Sequence, residues 1–401
     1  MSRGEAVITG LGVVSPIGLS LDTLWESILT GRSGVSAITS FDTSGYPSSV
    51  GCEVRDFGGA VDPELPLPPG RAARLAAAAA RQALEHAGVS AAERSAAPLC
   101  LGTTMGESCW IESWPGEGLA GGVDHVPVGE LLRSAPERVG ADAAALLGLG
   151  GEVTVLGGAC AAGNYALGHA ADLVRLGRAE LVVAGGVDAF SRVAFTGFAR
   201  LGALALRACR PFSGDRDGLV LGEGAAVAVV ESRESALARG AQALAVIAGF
   251  GLSSDAFHIV SPDPEGRGAV RAMRAALYEA RFEAMDVDYV CAHGTGTRAN
   301  DRAEVTAMRA VFGDRTVPMS SIKALTGHAL GASSALETAV CVLALRHQIA
   351  PPTWNFREPD PECDWDVVPN APRELSLETV VNNAYAFGGS NTSLVLRRPD
   401  A

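Results

Sequence analysis

Four side chains stand out by type and setting. Cys160 lies in Gly157-Gly158-Ala159-Cys160-Ala161-Ala162-Gly163, between small residues, after an apolar run and at the start of a helix-forming stretch. A helix N-terminus offers free N–H groups and partial positive charge, which stabilise a thiolate and lower a thiol's pKa. Small neighbours leave room for a substrate at sulfur, and of the eight cysteines only Cys160 has this setting. His293 stands in Ala292-His293-Gly294-Thr295-Gly296-Thr297, at the end of a strand-like run. Glycine-rich loops at strand ends are where α/β proteins hold ligands. His328 stands in Gly327-His328-Ala329-Leu330-Gly331-Ala332, five residues after Lys323. Of the 32 basic residues one, Lys323, is lysine and the other 31 are arginines. Lysine is a compact, strongly hydrated point charge and arginine a planar fork, so the lone lysine marks a place where arginine would not serve. Each feature alone has a bland reading: a buried structural cysteine, a core histidine, a biased composition. A reactive thiol, two glycine-flanked imidazoles and the sole lysine in one chain are poorly explained that way.

Positioning them falls to alternating strands and helices. Residues 6–12, 152–156, 181–184 and 225–230 read as strands, and 75–88 and 160–176 as helices. A second half repeats the pattern, with strands at 244–247, 289–292 and 394–396 and helices at 268–280, 304–312 and 331–347. The alternation argues an α/β layered fold. The similar halves suggest a duplicated unit, divided as residues 1–247 and 248–401. Asp301 and Glu304 follow His293 on the next helix. Phe387, before Gly388-Gly389 in the segment 382–391, reads as a mobile aromatic lid. Pro/Gly-rich runs at 63–70 and 351–361 read as surface excursions. Gly10-Leu11-Gly12 falls short of a dinucleotide fingerprint, because Ser15 stands at the third glycine and Pro16 follows.

Composition narrows the classes further. A net charge of −13 argues against general nucleic-acid binding. No apolar run is long enough to span a membrane, and residues 1–10 lack a signal pattern, so a cytoplasmic location is expected. The cysteines form no CxxC, which suggests neither zinc nor a disulfide framework. No metal or cofactor is expected.

These motifs together resemble the elongating β-ketoacyl-acyl-carrier-protein synthases, the type I/II condensing enzymes of the thiolase superfamily. The likeness runs end to end: Val7 to Gly18, the Cys160 motif, Arg210-Pro211-Phe212-Ser213-Gly214-Asp215-Arg216-Asp217-Gly218, His293 to Thr297, Lys323 to His328, and Phe387-Gly388-Gly389-Ser390-Asn391. The resemblance implies a duplicated, five-layered αβαβα thiolase-like fold and a homodimer or a heterodimer with a related subunit. It implies that Cys160 takes an acyl group from an acyl carrier protein and that His293 and His328 stabilise the enolate formed from a malonyl thioester. By the same likeness Lys323 supplies positive charge, held by Glu337. The N–H groups of Cys160 and Phe387 form an oxyanion hole, and Phe387 gates the cysteine. Met105, Glu107, Trp110 and Phe198 are expected around the acyl chain, and Arg71 and Arg74 at carrier-protein docking, with Arg200, Arg207 and Arg210 as further candidates.

Several positions depart from the family pattern. Ala386 stands where glycine precedes the gate, Tyr385 where phenylalanine is usual, Ala324 where serine follows the lysine, and the segment before Arg210 is shortened. Glu107 and Trp110 suggest a shaped or partly polar substrate. With the Ala-, Gly- and Arg-rich composition of a high-GC genome, this leans toward specialised polyketide or polyene assembly over housekeeping fatty-acid synthesis. The main alternative is a non-condensing chain-length-factor partner, against which Cys160 and both histidines argue. A thiolase would use a second cysteine, and a coenzyme A-primed initiating synthase a Cys-His-Asn set.

Overall fold

The structure is a computed structural model and describes residues 4–55, 57, 68–112 and 128–399. Most of the Pro/Gly-rich run at 63–70 lies outside the described residues.

Ten strands form one continuous sheet: β1 Ala6–Val14, β2 Leu99–Thr103, β3 Val153–Gly157, β4 Leu181–Asp188, β5 Gly224–Ser232, β6 Ala245–Ser254, β7 Tyr289–Cys291, β8 Met319–Ser320, β9 Thr379–Tyr385 and β10 Ser390–Arg397. Their order is β8-β7-β9-β10-β6-β1-β5-β4-β2-β3. Each run of five has the same internal order, third-second-fourth-fifth-first. In each, the first three strands across the run are parallel and the last two pair antiparallel. The two fives meet only where Ala6, Val7 and Ile8 pair with Ile247, Val246 and Ala245.

The longer helices that frame the site include α1 Arg71–His86, α2 Ala162–Arg175, α3 Arg192–Arg200, α4 Arg267–Ala280, α5 Arg298–Phe312 and α6 Ser333–His347. Helix α1 packs on β1 and β5, and α4 on β6 and β10, with α5 against α4. Helices α2 and α6 pack on each other and touch strands of both fives. The layers therefore run helix, sheet, helix pair, sheet, helix, the αβαβα arrangement expected. The central layer explains why α6 is apolar all round: residues 333–345 are buried on every face.

Glycines set the closest approaches. A Cβ on Gly10 or Gly12 would lie 2.1 and 2.0 Å from the Ala83 and Ala79 carbonyl oxygens of α1, so these glycines serve strand–helix packing. Gly185-Gly186, read as the end of a strand, lies inside β4. A Cβ on Gly186 would stand 2.4 Å from the Gly331 carbonyl oxygen.

A buried polar clasp joins the halves. Asn164 on α2 donates to the Asn382 carbonyl (3.3 Å) and the Thr392 hydroxyl (3.2 Å). Asn382 on β9 donates to Asn164 Oδ1 (3.1 Å), the Ser334 carbonyl (2.8 Å) and the Thr338 hydroxyl (2.9 Å). No helix among the described residues is long and apolar enough to cross a membrane.

Candidate active site

Strand β3 ends at Gly157, and the chain turns through a single 3₁₀ turn, Ala159–Ala161, into α2. Ala159 adopts φ 45°, in the left-handed region that an alanine seldom occupies. The second half repeats this elbow: Leu330 adopts φ 50° in the turn Leu330–Ala332 that leads into α6. Gly331 stands there at the place matching Cys160.

Cys160 opens on a cavity of about 200 Å³, lined also by Phe198, His293, His328, Tyr385 and Phe387. The His293 and His328 rings lie 5.3 Å apart, nearly perpendicular at 82°. Phe198 packs beside His328 (6.5 Å between centroids) and Phe387 (5.4 Å). The structure thus gathers Cys160, both histidines, Phe198 and Phe387 from distant parts of the chain.

Lys323 is 1% exposed and fully engaged. Its ammonium donates to the His293 carbonyl (2.6 Å), contacts His293 Nδ1 (3.4 Å) and pairs with the Glu337 carboxylate. An ammonium has no acceptor, so His293 Nδ1 must be the acceptor and the ring proton sits on Nε2. His328 Nδ1 meets the Ser333 hydroxyl at 2.9 Å, a contact open to the matching tautomer. Burial and the Lys323 charge hold both imidazoles well below their ordinary pKa, so each is neutral. The cavity therefore meets neutral N–H donors rather than cations.

The expected low thiol pKa at Cys160 is not found. Burial pushes the thiol up to about 12, and the Lys323 charge and the N–H groups of Phe387 and Cys160 only partly offset it. Desolvation of the charged form outweighs the helix start, because Cys160 is buried. Cys160 rests as a thiol, with the N–H groups of Phe387 and Cys160 directed at its sulfur.

Three buried carboxylates, two of them on the helix that follows His293, hold the site's backbone. Glu304 accepts the His293 and Gly294 N–H groups, both at 2.8 Å, and burial raises its pKa to about 8. Asp301 accepts from Phe212 (2.8 Å) and Gly296 (3.2 Å). Asp188 accepts N–H groups of Thr104, Met105 and Gly331, tying the end of β2 to the second elbow. For Asp188 the signal in the sequence was an acid closing an apolar run, Gly185-Gly186-Val187-Asp188, whereas Asp301 and Glu304 stand in a polar stretch that gives no such signal.

Four residues are placed otherwise than expected: Glu107, Trp110, Arg71 and Arg210. Glu107 does not face the acyl site: its carboxylate accepts the Ala73 (2.7 Å) and Ala72 (3.4 Å) N–H groups and so caps α1, whose N-cap residue, Gly70, has no side chain to do so. Trp110 lines a separate groove with Glu107, Arg71 and Arg74, with the Arg133 guanidinium 4.6 Å over its ring. Neither residue lines the cavity at Cys160. Met105 packs against the apolar cluster containing Phe198 and Leu330. Arg71 is not a free docking cation: it grips Glu223 with two bonds (2.8 and 2.6 Å) and the Val54 carbonyl with a third. Arg210 is paired with Asp215 and Asp217, whereas Arg200 and Arg207 are exposed and Arg74 is half-buried.

Comparison with known proteins agrees along the whole chain. The family model described as "Beta-ketoacyl synthase, N-terminal domain" matches residues 4–236, and that for the C-terminal domain matches residues 244–357. Nodulation protein E of Rhizobium sp. (strain N33) is 41% identical over 400 residues, spanning 98% of this chain and 99% of the relative. The 3-oxoacyl-[acyl-carrier-protein] synthase 2 of Coxiella burnetii is 40% identical over 419 residues, spanning 99% of each. Among solved structures, the ishigamide ketosynthase/chain length factor superposes with a TM-score of 0.94 at 40% identity, covering 99% of each chain.

Proposed function

The chain belongs to the β-ketoacyl synthase family, and from that premise we propose that it condenses a Cys160-bound acyl group with a malonyl group carried by an acyl carrier protein. The observation that carries this reading is the convergence of one thiol and two neutral imidazoles on a single cavity. Cys160 sulfur attacks the carrier thioester, and its proton leaves with the departing carrier thiol. The malonyl thioester then takes the vacated place. Its C–C bond breaks, CO2 departs, and the electron pair moves onto the thioester oxygen. The Nε2–H groups of His293 and His328 receive that charge, and removing one such donor typically costs about 10²–10³ in rate. The enolate carbon attacks the acyl carbon, whose oxyanion meets the N–H groups of Cys160 and Phe387. Collapse expels the Cys160 thiolate, which regains a proton and resets the site.

Roles divide between the halves. Residues 1–247 supply the nucleophile, and residues 248–401 supply both histidines, Lys323 with Glu337, and the gate. The acyl chain lies toward Phe198 and Met105. Carrier docking draws on Arg74, Arg200 and Arg207, the candidates not spent on internal carboxylates. The open outer edge of β3, the end strand of the sheet, supports pairing with a second copy or a related subunit. The enzyme acts in the cytoplasm, in specialised polyketide or polyene assembly. Incubation with an acyl carrier thioester should add the acyl mass to Cys160, and malonyl carrier should then release a β-ketoacyl carrier. Cys160→Ala should abolish both steps; continued condensation by that variant would instead support a non-condensing partner role.

A further inference from the structure

The malonyl group brings a carboxylate into a cavity that has no obvious place for it. Among the described residues lining the cavity there is no arginine or lysine, and the one acid, Asp255, would repel it. Lys323 lies behind His293 and is already engaged. The anion must therefore be held by neutral donors, and several of these are partly spent. One of the Thr295 and Thr297 hydroxyls donates to the other at 2.8 Å. Asn300 donates to Asp301, and the Asn391 amide donates to Ser253, Asp255 and Gly389. Tyr385 differs from these: it lines the cavity, is 8% exposed, and its hydroxyl is buried with no hydrogen-bond partner. Its ring packs edge-on against His293, 5.8 Å between centroids, and it stands two residues before the gate Phe387. A buried hydroxyl without a partner is costly to keep, and a phenylalanine would fill the same space at no such cost.

We propose that the Tyr385 hydroxyl is the hydrogen-bond donor that receives the free carboxylate of the malonyl thioester and orients its scissile C–C bond, an inference that rests on the condensing reading above. Burial, with the Glu304 and Asp255 charges nearby, holds the phenol well above its ordinary pKa, so the proton stays in place to donate. A neutral donor suits a carboxylate that must leave. A cation would stabilise the charged ground state more than the decarboxylating transition state and slow the step. A single hydroxyl fixes direction without neutralising charge. The bond that breaks is the one between the malonyl methylene and its carboxyl carbon, and its electrons pass to the thioester oxygen beside His293 and His328.

The test is Tyr385→Phe. Acyl transfer to Cys160, read by intact mass, should stay within about twofold of wild type, and the melting temperature should hold or rise. KM for malonyl carrier should rise about tenfold, the loss of one hydrogen bond to a charged group. A second measurement is independent of folding yield: the KM for malonyl-pantetheine set against the Ki of acetyl-pantetheine, which has no carboxylate to lose, with enzyme acylated on Cys160. The wild-type preference for malonyl over acetyl should shrink by at least about fivefold in the variant. An unchanged KM and an unchanged preference would overturn the inference. Failure of the wild type itself to condense would strike the underlying reading instead, so the two failures are distinguishable.

Discussion

The double substitution Lys323→Met/Glu337→Leu separates what Lys323 does for chemistry from what it does for the fold. Lys323→Met alone would strand the Glu337 carboxylate, whose Oε2 already lacks a partner. Breaking such a buried pair typically costs about 3–5 kcal/mol, whereas replacing both members with apolar groups of similar volume is often neutral. In the double variant the residual penalty is the His293 carbonyl, which loses its 2.6 Å donor, worth about 1–3 kcal/mol. The protein should therefore fold, with a modestly lower melting temperature. Catalysis should suffer far more. Without an ammonium against Nδ1, His293 is free to carry its proton there and turn a lone pair toward the enolate. One of two donors is then lost, about 10²–10³ in rate, or roughly 2.7–4 kcal/mol of transition-state stabilisation. The assay is single-turnover condensation of pre-acylated enzyme with malonyl carrier, alongside intact-mass measurement of Cys160 acylation, which should be little changed. Condensation within tenfold of wild type by a folded double variant would refute the tautomer argument and leave Lys323 a structural charge.

Alkylation of Cys160 by iodoacetamide should accelerate steadily with pH above about 9 and show no inflection between pH 6 and 8, because burial raises the thiol to about 12; a plateau near neutrality would contradict this. Glu304, raised to about 8 from an ordinary value near 4.5, favours the protonated form in the fold, so its contribution to stability is full below about pH 4.5 and lost as pH rises through 8. Glu304→Gln should remove that slope from a plot of melting temperature against pH. It should also weaken condensation, since the amide has one acceptor for the two N–H groups of His293 and Gly294; an unaltered slope would show that Glu304 does not titrate in this range. Arg71→Glu should lower stability by about 3–5 kcal/mol through the unpaired Glu223, whereas Arg74→Glu should leave stability alone and raise KM for the carrier, a split that thermal melts and steady-state kinetics resolve.

The chemistry was legible where it is written locally. Cys160, His293, His328 and Lys323 each sit in a short motif whose small neighbours exist to let groups approach closely, and those neighbours are visible in the chain. The layered architecture was legible from the alternation of apolar runs. Strand β9 was missed because it carries Asn382 and Asn383, which read as loop residues until Asn382 is seen clasping Asn164 across the halves. Helix α5 begins six residues before the apolar run that announced it, because its first turn, from Arg298, is polar. The misjudged residues, Arg71 and Glu107, are charged side chains whose partners are 152 and 34 residues away. A charge's partner cannot be read from spacing when the pair is closed by tertiary folding, and an arginine gripping a buried acid looks the same in sequence as one awaiting a ligand. The thiol's raised pKa was hidden for a related reason: the helix start is local and visible, while the depth of burial belongs to the whole fold.

The asparagine clasp between the two fives of strands bears on how the chain acquires activity. Cys160 comes from one five and the histidines from the other, and the sheets touch edge to edge over three residue pairs only. The central helices α2 and α6, locked by Asn164 and Asn382, carry the registration between them. A chain emerging during synthesis can complete its first five strands with the elbow already formed, yet hold a thiol facing no imidazole. The last strands, β9 and β10, carry Asn382 and Thr392, and Phe387 lies on the turn between them, so the clasp and this wall of the cavity are supplied by the final stretch of the chain.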